Sequence, residues 1–288
     1  MSSKIFVTGA TGNVGSEVMR LLHTQGYQVR AGVRNPRDVN INLLHGVQSV
    51  VFDFEKPETF EPALRGISKL FLIRPPAISQ VKKYIYPAIV AATAAGVEHI
   101  VFLSLLGAEH NRIVPHAKIE AYIKSLGIHY TFLRAGFFMQ NLNTTHCQDI
   151  RDYNEIFVPA GKGKTSFIDV RDIAAVAVKV MTESGHENRA YALTGGKALD
   201  YYEVAEIFTN VLARRVVYSN PSIFKFAFRM YRRGLQPQFI AVMIAIYTTT
   251  RLGLAATVTE DVRYLLQRAP ITMEEFVSDY RDFWALSA

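Results

Sequence analysis

The chain has a single cysteine, no long apolar run and no low-complexity tract in its 288 residues. One cysteine, Cys147, cannot close an internal disulfide, which excludes a stapled secreted scaffold and points to a reducing, cytoplasmic setting. No activating partner for that thiol is visible, so Cys147 reads as a small packed hydrophobe rather than a reactive group. The most apolar later stretch, 239–247, is too short to cross a bilayer, and Met1-Ser2-Ser3-Lys4 leads into Ile5-Phe6-Val7-Thr8 without the pattern of a signal peptide. No membrane partner is expected. The eight histidines show no metal-ligand spacing, so no metal is expected. The net charge of +7 is scattered apart from small clusters such as Arg229, Arg232 and Arg233. No DNA-reading motif accompanies it. The charge therefore reads as a mild bias toward anionic ligands, with no nucleic-acid partner expected.

What is present is an ordinary globular balance, with 49% of residues hydrophobic and 20% charged. In the first half, short β-rich runs at 5–8, 28–34, 47–52, 70–73, 100–104 and 130–133 alternate with helical stretches at 14–25, 84–95 and 116–126. In the first helix Val14, Val18, Leu21 and Leu22 fall on one face. Strands alternating with helices imply right-handed crossovers, and nearly all-apolar strands imply a sheet covered on both faces. The expected fold class is α/β, a Rossmann-type doubly wound parallel sheet with a smaller C-terminal α/β lobe. The second half reads as a strand at 165–170, a helix at 172–181, a short strand at 191–193 and a helix at 201–211 capped by Asp200. Helical sequence follows at 224–250, broken between Gly234 and Pro237, and again at 273–283. Residues 1–150 read as the Rossmann domain. Residues 151–288 read as a smaller lobe interleaved with the sheet, without a linker and shaping a substrate pocket at the sheet's carboxyl edge.

In such a sheet ligands sit at the carboxyl ends of the strands. The first of these carries Gly9-Ala10-Thr11-Gly12-Asn13-Val14-Gly15, directly after a strand and opening an amphipathic helix. A diphosphate needs backbone N–H donors with no side chain in the way, and a helix N-terminus adds partial positive charge. Gly9, Thr11, Gly12, Asn13, Val14 and Gly15 are therefore candidate dinucleotide-binding residues. A tight structural turn is the other reading. NAD-preferring sites place an acid after the second strand. Here that position is Arg34, and Asp38 comes later. A guanidinium there can pair with a 2′-phosphate, so NADP(H) is expected over NAD(H), unless Arg34 is merely a solvated surface residue. Asp53 and Phe54 are candidates to address the adenine, and Ile73, Arg74 and Ser104 follow at later strand ends.

Several of these stretches resemble the NmrA-like branch of the atypical short-chain dehydrogenase/reductases. They are Val7 to Gly15, Val33-Arg34-Asn35-Pro36, His116-Ala117-Lys118-Ile119-Glu120, the run from Tyr130 to Leu142 and Phe167-Ile168-Asp169-Val170-Arg171-Asp172-Ile173-Ala174. That branch includes NAD(P)H-dependent quinone, azo-dye and triphenylmethane reductases. The resemblance implies a variant active site. His116 stands where a Tyr-x-x-x-Lys tyrosine would be expected, and Glu120, four residues on, would orient it. His116 then either donates a proton to the reduced acceptor or only hydrogen-bonds the nicotinamide or a nearby loop. Gly136, Phe137 and Phe138 would lie beside the nicotinamide. Leu105, Leu106, Met139 and Asn141 would line the substrate pocket, unless the apolar members are simply core. Asp169 and Asp172 read as turn and helix-cap residues. The expected function is an NADPH-dependent oxidoreductase passing hydride to a quinone-like or other conjugated small-molecule acceptor. The alternative is a catalytically weak nucleotide sensor that binds a protein partner. A monomer or homodimer is expected.

Overall fold

A computed structural model describes residues 4–35 and 47–285; Pro36 and Asp38, named above, lie outside them. The chain divides into two compact units, one made of Met1–Ala135 with Val170–Leu193 and the other of Gly136–Asp169 with Thr194–Ala288.

The first unit is built on seven parallel strands: β1 (Lys4–Val7), β2 (Gln28–Val33), β3 (Gln48–Val51), β4 (Lys69–Leu72), β5 (His99–Leu105), β6 (His129–Ala135) and β10 (Arg189–Leu193). Their order across the sheet is β10-β6-β5-β4-β1-β2-β3. The chain runs from the centre to one edge, returns beside β1 with β4 and then builds outward the other way. The direction reverses between β1 and β4, the kind of crevice where doubly wound sheets bind ligands. The six strands expected in the first half are all present. The short strand expected at 191–193 is also present and joins the same sheet, with Ala190 opposite Phe132.

Alternate side chains leave opposite faces of these strands. Phe6, Leu70, Leu72, Ile100, Phe102 and Phe132 form one buried cluster with residues of α2 (Phe60–Leu64), α3 (Val81–Ala94) and α4 (Pro115–Ser125). Ile5, Val7, Val101 and Leu133, the residues between, are also buried. The helices α1 (Asn13–Thr24) and α6 (Val170–Thr182) pack together. Val14, Val18 and Leu22 are buried on the first of them, and Ile173, Val176 and Val180 on the second.

The second unit holds a three-stranded sheet, β11 (Ala198–Leu199), β9 (Thr165–Ile168) and β7 (Phe137–Phe138), and the pair β12 (Val217–Tyr218) and β8 (Glu155–Ile156). Its helices are α5 (Cys147–Tyr153), α7 (Tyr201–Leu212), α8 (Ile223–Arg232), α9 (Pro237–Arg251), α10 (Asp261–Leu266) and α11 (Met273–Asp279). Its core is aromatic, with Trp284 edge-on to Phe208 at 4.8 Å and to Phe276 at 5.8 Å. Asp200 caps α7 as expected, in a reciprocal box with Glu203. The expected break after α8 is also there, with Gly234 at φ +82° and Pro237 opening α9. Asp149, wholly buried, accepts from Arg233 twice at 2.6 Å and from Arg229 at 3.0 Å, and Arg229 also donates to Glu155.

Candidate functional site

Thr8 fixes the start of the glycine turn. One residue beyond the last β1–β4 pair, Val7 opposite Phe71, its N–H donates to the Phe71 carbonyl at 3.0 Å. Its hydroxyl donates to the Ile73 carbonyl at 3.1 Å and accepts from the Ile73 N–H at 2.7 Å. Gly9 then takes φ +61°, where a Cβ would sit 3.1 Å from that of Ile73. A Cβ on Gly15 would lie 2.2 Å from the Gly9 carbonyl oxygen, so the first turn of α1 presses on the loop as only a bare residue allows. Gly12 is the N-cap of α1 and has no side chain to offer; its own N–H donates to the Gly9 carbonyl at 2.9 Å. The first acceptor inside the helix serves Ser16, whose N–H bonds the Gly12 carbonyl. The amides of Asn13, Val14 and Gly15 therefore point out of the helix mouth without an intrahelical acceptor. No acidic residue stands in that first turn. Exposed Thr11 shares the loop. A cradle of free amides with no Cβ in the way and no carboxylate to repel it fits a diphosphate.

The other strand ends are occupied in different ways. Arg34 is exposed and immediately follows β2, the strand next to β1. Asp53 is engaged locally: its side chain accepts from the Glu55 N–H at 3.0 Å, and its own N–H donates to Thr59 Oγ1 at 3.1 Å. Phe54 is buried in the core, edge-on to Phe52 at 5.1 Å. Arg74 is pinned by its own loop, with one guanidinium nitrogen donating to the carbonyls of Pro75, Pro76 and Ile78 at 2.8, 3.1 and 2.7 Å. Burial lowers its pKa from the usual arginine value.

His116 lies in the first turn of α4, after Pro115, and its ring is near-parallel to Phe102, with centroids 6.0 Å apart. Burial first, and the Arg74 charge second, hold its pKa down to about 4. At neutral pH the imidazole is uncharged. Glu120 does not orient it, contrary to the expectation from their spacing. Both Glu120 oxygens are taken from the sheet side, by Ser104 Oγ at 2.5 Å and by Arg134 at 3.0 and 2.7 Å. Ser104 and Arg134 are register partners on β5 and β6, so one carboxylate on the covering helix meets both. Arg134 and Thr8 lie in stretches the sequence singles out, Tyr130 to Leu142 and Val7 to Gly15, but the partners that give them a role, Glu120 and Ile73, are visible only in the fold. Ser104 and Arg134 stand at the same offset from the starts of their strands, His99 and His129, and that equal offset is the signal that pairs them. Leu105, exposed, and Leu106, half-buried, follow Ser104 at the end of β5.

In the second unit, Gly136 leads into β7, where Phe137 and Phe138 pair in parallel with Phe167 and Ile168. Phe137 is half-buried and edge-on to Phe167 at 5.6 Å. Phe138 and Asn141 are half-buried, whereas Met139 lies in the unit's core. Gln140, buried, donates to buried Asp169 at 2.9 Å. His146 is buried against the Tyr247 hydroxyl at 2.5 Å, and burial brings its pKa to about 4. The Cys147 thiol reaches the Phe283 carbonyl at 3.4 Å, and burial raises its pKa, as befits a packed rather than a reactive thiol.

The model of the NmrA-like family matches residues 1–277. The chain is 35% identical over 276 residues to the NAD(P)H azoreductase of Xenophilus azovorans, covering 94% of this chain and 96% of that protein. The Citrobacter sp. triphenylmethane reductase complexed with NADP(H) superposes with a TM-score of 0.84 at 28% identity, covering 96% of this chain and 99% of that one. The NADPH-dependent quinone oxidoreductase of Escherichia coli complexed with NADPH gives 0.85 at 28% identity, with the same coverage. Among the described residues no helix is long and apolar enough to cross a membrane.

Three histidines make stability depend on pH. His99, His116 and His146 all have pKa values near 4, each lowered first by burial. An unfolded histidine protonates near pH 6.5. Between those values the unfolded chain binds more protons, so stability is full above about pH 6.5 and falls as pH drops, by up to about 1.4 kcal/mol per pH unit for each histidine. Urea titrations between about pH 7 and about pH 5 should show a falling midpoint. A midpoint that holds or rises on acidification contradicts this.

Proposed function

The chain belongs to the NmrA-like family, and from that membership we propose that it passes hydride from NADPH to a quinone-like or other conjugated small-molecule acceptor. The nicotinamide-dependent reductase class rests on the family match and on the azoreductase, which is 35% identical across nearly the whole chain. The single structural observation that carries the reading is the glycine turn, where the Gly9 carbonyl leaves no room for a Cβ at position 15. The amides of Asn13, Val14 and Gly15 bind the diphosphate, with the partial positive charge of α1 behind them. Arg34 takes the 2′-phosphate. It stands exposed beside the turn strand, where an NAD-selective site would hold a carboxylate. The bound nicotinamide supplies the hydride.

His116 serves as an uncharged N–H donor to the acceptor's oxygen or nitrogen. The fixed Arg74 charge disfavours a second cation there, and the ring is held by Phe102. The Ser104–Glu120–Arg134 network keeps α4 registered on the sheet, which sets the position of His116. Leu105 and Leu106, at the end of β5, are the acceptor contacts proposed on the first unit; on the second, half-buried Phe138 and Asn141 are members of the 136–142 segment left open to a ligand. Met139, closed into its core, supports the segment instead. The packed thiol of Cys147 suits a reducing compartment such as the cytoplasm.

Two measurements test this. NADPH oxidation should depend on acceptor across a series of quinones and azo dyes. Tight nucleotide binding with no acceptor-dependent oxidation would instead identify a sensor. The Arg34→Ala variant should weaken NADPH binding by about 1.5–3 kcal/mol, about ten- to hundredfold, while leaving NADH binding nearly unchanged. Equal losses for both nucleotides would remove Arg34 from the 2′-phosphate site.

A further inference from the structure

The cluster Arg229, Arg232 and Arg233 belongs to a larger asymmetry. From residue 207 to 259 the chain contains no aspartate or glutamate, while it carries Arg214, Arg215, Lys225, Arg229, Arg232, Arg233 and Arg251. This stretch includes α8 and α9, which pack on each other. It also carries much of the exposed apolar surface. On α8, Phe224 is 86% exposed and Phe228 and Tyr231 are each 64% exposed. Their spacing of four and three residues puts them in one stripe. The opposite side of the helix, Phe226 and Met230, is buried. On α9, Phe239, Val242 and Ile246 are exposed at matching helical spacing. Arg229 and Arg233 are held by Asp149, but Lys225 and Arg232 have no carboxylate partner among the described residues and flank the aromatic stripe. A groove of about 670 Å³ runs beside them, lined by Phe228, Lys225, Arg232 and Phe157, and by Glu155, which is neutralised by Arg229.

We propose that α8 and α9 form a docking face for the anionic surface of a lipid bilayer. Aromatic side chains would enter the headgroup–acyl boundary, with Lys225 and Arg232 on lipid phosphates. Exposed aromatics beside unpaired cations on one amphipathic helix are the composition that lies in such an interface. The absence of any carboxylate over this stretch provides the charge complementarity. It also argues against a second copy as the occupant. A two-fold interface sets a patch against itself, and here that would oppose cation to cation. The absence of a membrane-crossing helix is no obstacle, since a surface helix need not span. The face goes beyond the reductase reading and does not rest on it.

Flotation of the full chain with vesicles tests the proposal. Vesicles of phosphatidylcholine with about one-third phosphatidylglycerol should bind the protein at low salt, whereas phosphatidylcholine alone should not, and binding should weaken as added salt screens the charges. Lys225→Gln with Arg232→Gln should lower the partition coefficient about 25-fold, about fivefold per cation. Phe224→Ser with Phe228→Ser should lower it at least about tenfold. Nucleotide affinity, measured on the same variants, should stay unchanged and shows that they are folded. No binding of the unaltered chain to the anionic vesicles overturns the proposal, as does equal binding by the variants. So does a dimer in sedimentation that the phenylalanine substitutions dissolve while vesicles take up no protein.

Discussion

The bare Cα of Gly15 pressed against the Gly9 carbonyl is the contact on which the rest of the site depends. It lets α1 begin directly under the loop that leaves β1, so that the first amides of the helix open onto the crevice between β1 and β4. Thr8 locks the other side of that crevice through Ile73, and Ile73 in turn backs Gly9. A side chain at position 15 would push the helix away or turn its amides aside. Either would remove the donors that an anionic diphosphate needs.

Burial first, and the Arg74 charge second, keep the His116 ring neutral. The one carboxylate four residues along its helix is spent on Ser104 and Arg134, and the cation that acts on it, Arg74, is fixed by three loop carbonyls. A ring in that setting is available as an uncharged N–H donor. No Tyr-x-x-x-Lys pair stands on this helix, where His116 and Glu120 occupy the two positions.

Much of this was legible in the sequence because it is written in local pattern. The run from Ile5 to Gly15 carries strand, turn and helix start in eleven consecutive residues, and each β–α alternation in the first half could be read from periodicity. The Asp200 cap and the Gly234–Pro237 break are likewise local chemistry. What escaped depends on which strands become neighbours. The Glu120 carboxylate looks free to serve His116 on a helical wheel, and only the β5–β6 register shows Ser104 and Arg134 waiting beneath it. The same holds for Arg189–Leu193, recognisable as a short strand but joined to the sheet by a pairing far away in sequence. The cluster of Arg229, Arg232 and Arg233 stands out in the sequence, but the more informative feature is the missing carboxylates between 207 and 259.

Calorimetric titration of NADPH and NADH into the unaltered chain and into Gly15→Ala tests the central claim most directly. The account predicts saturable binding to the unaltered chain, stronger for NADPH, and a loss of more than about tenfold in the variant, as expected when free amides at a helix mouth are displaced. An unaltered chain that binds neither nucleotide, or a Gly15→Ala variant that binds both as well as the parent, would contradict it.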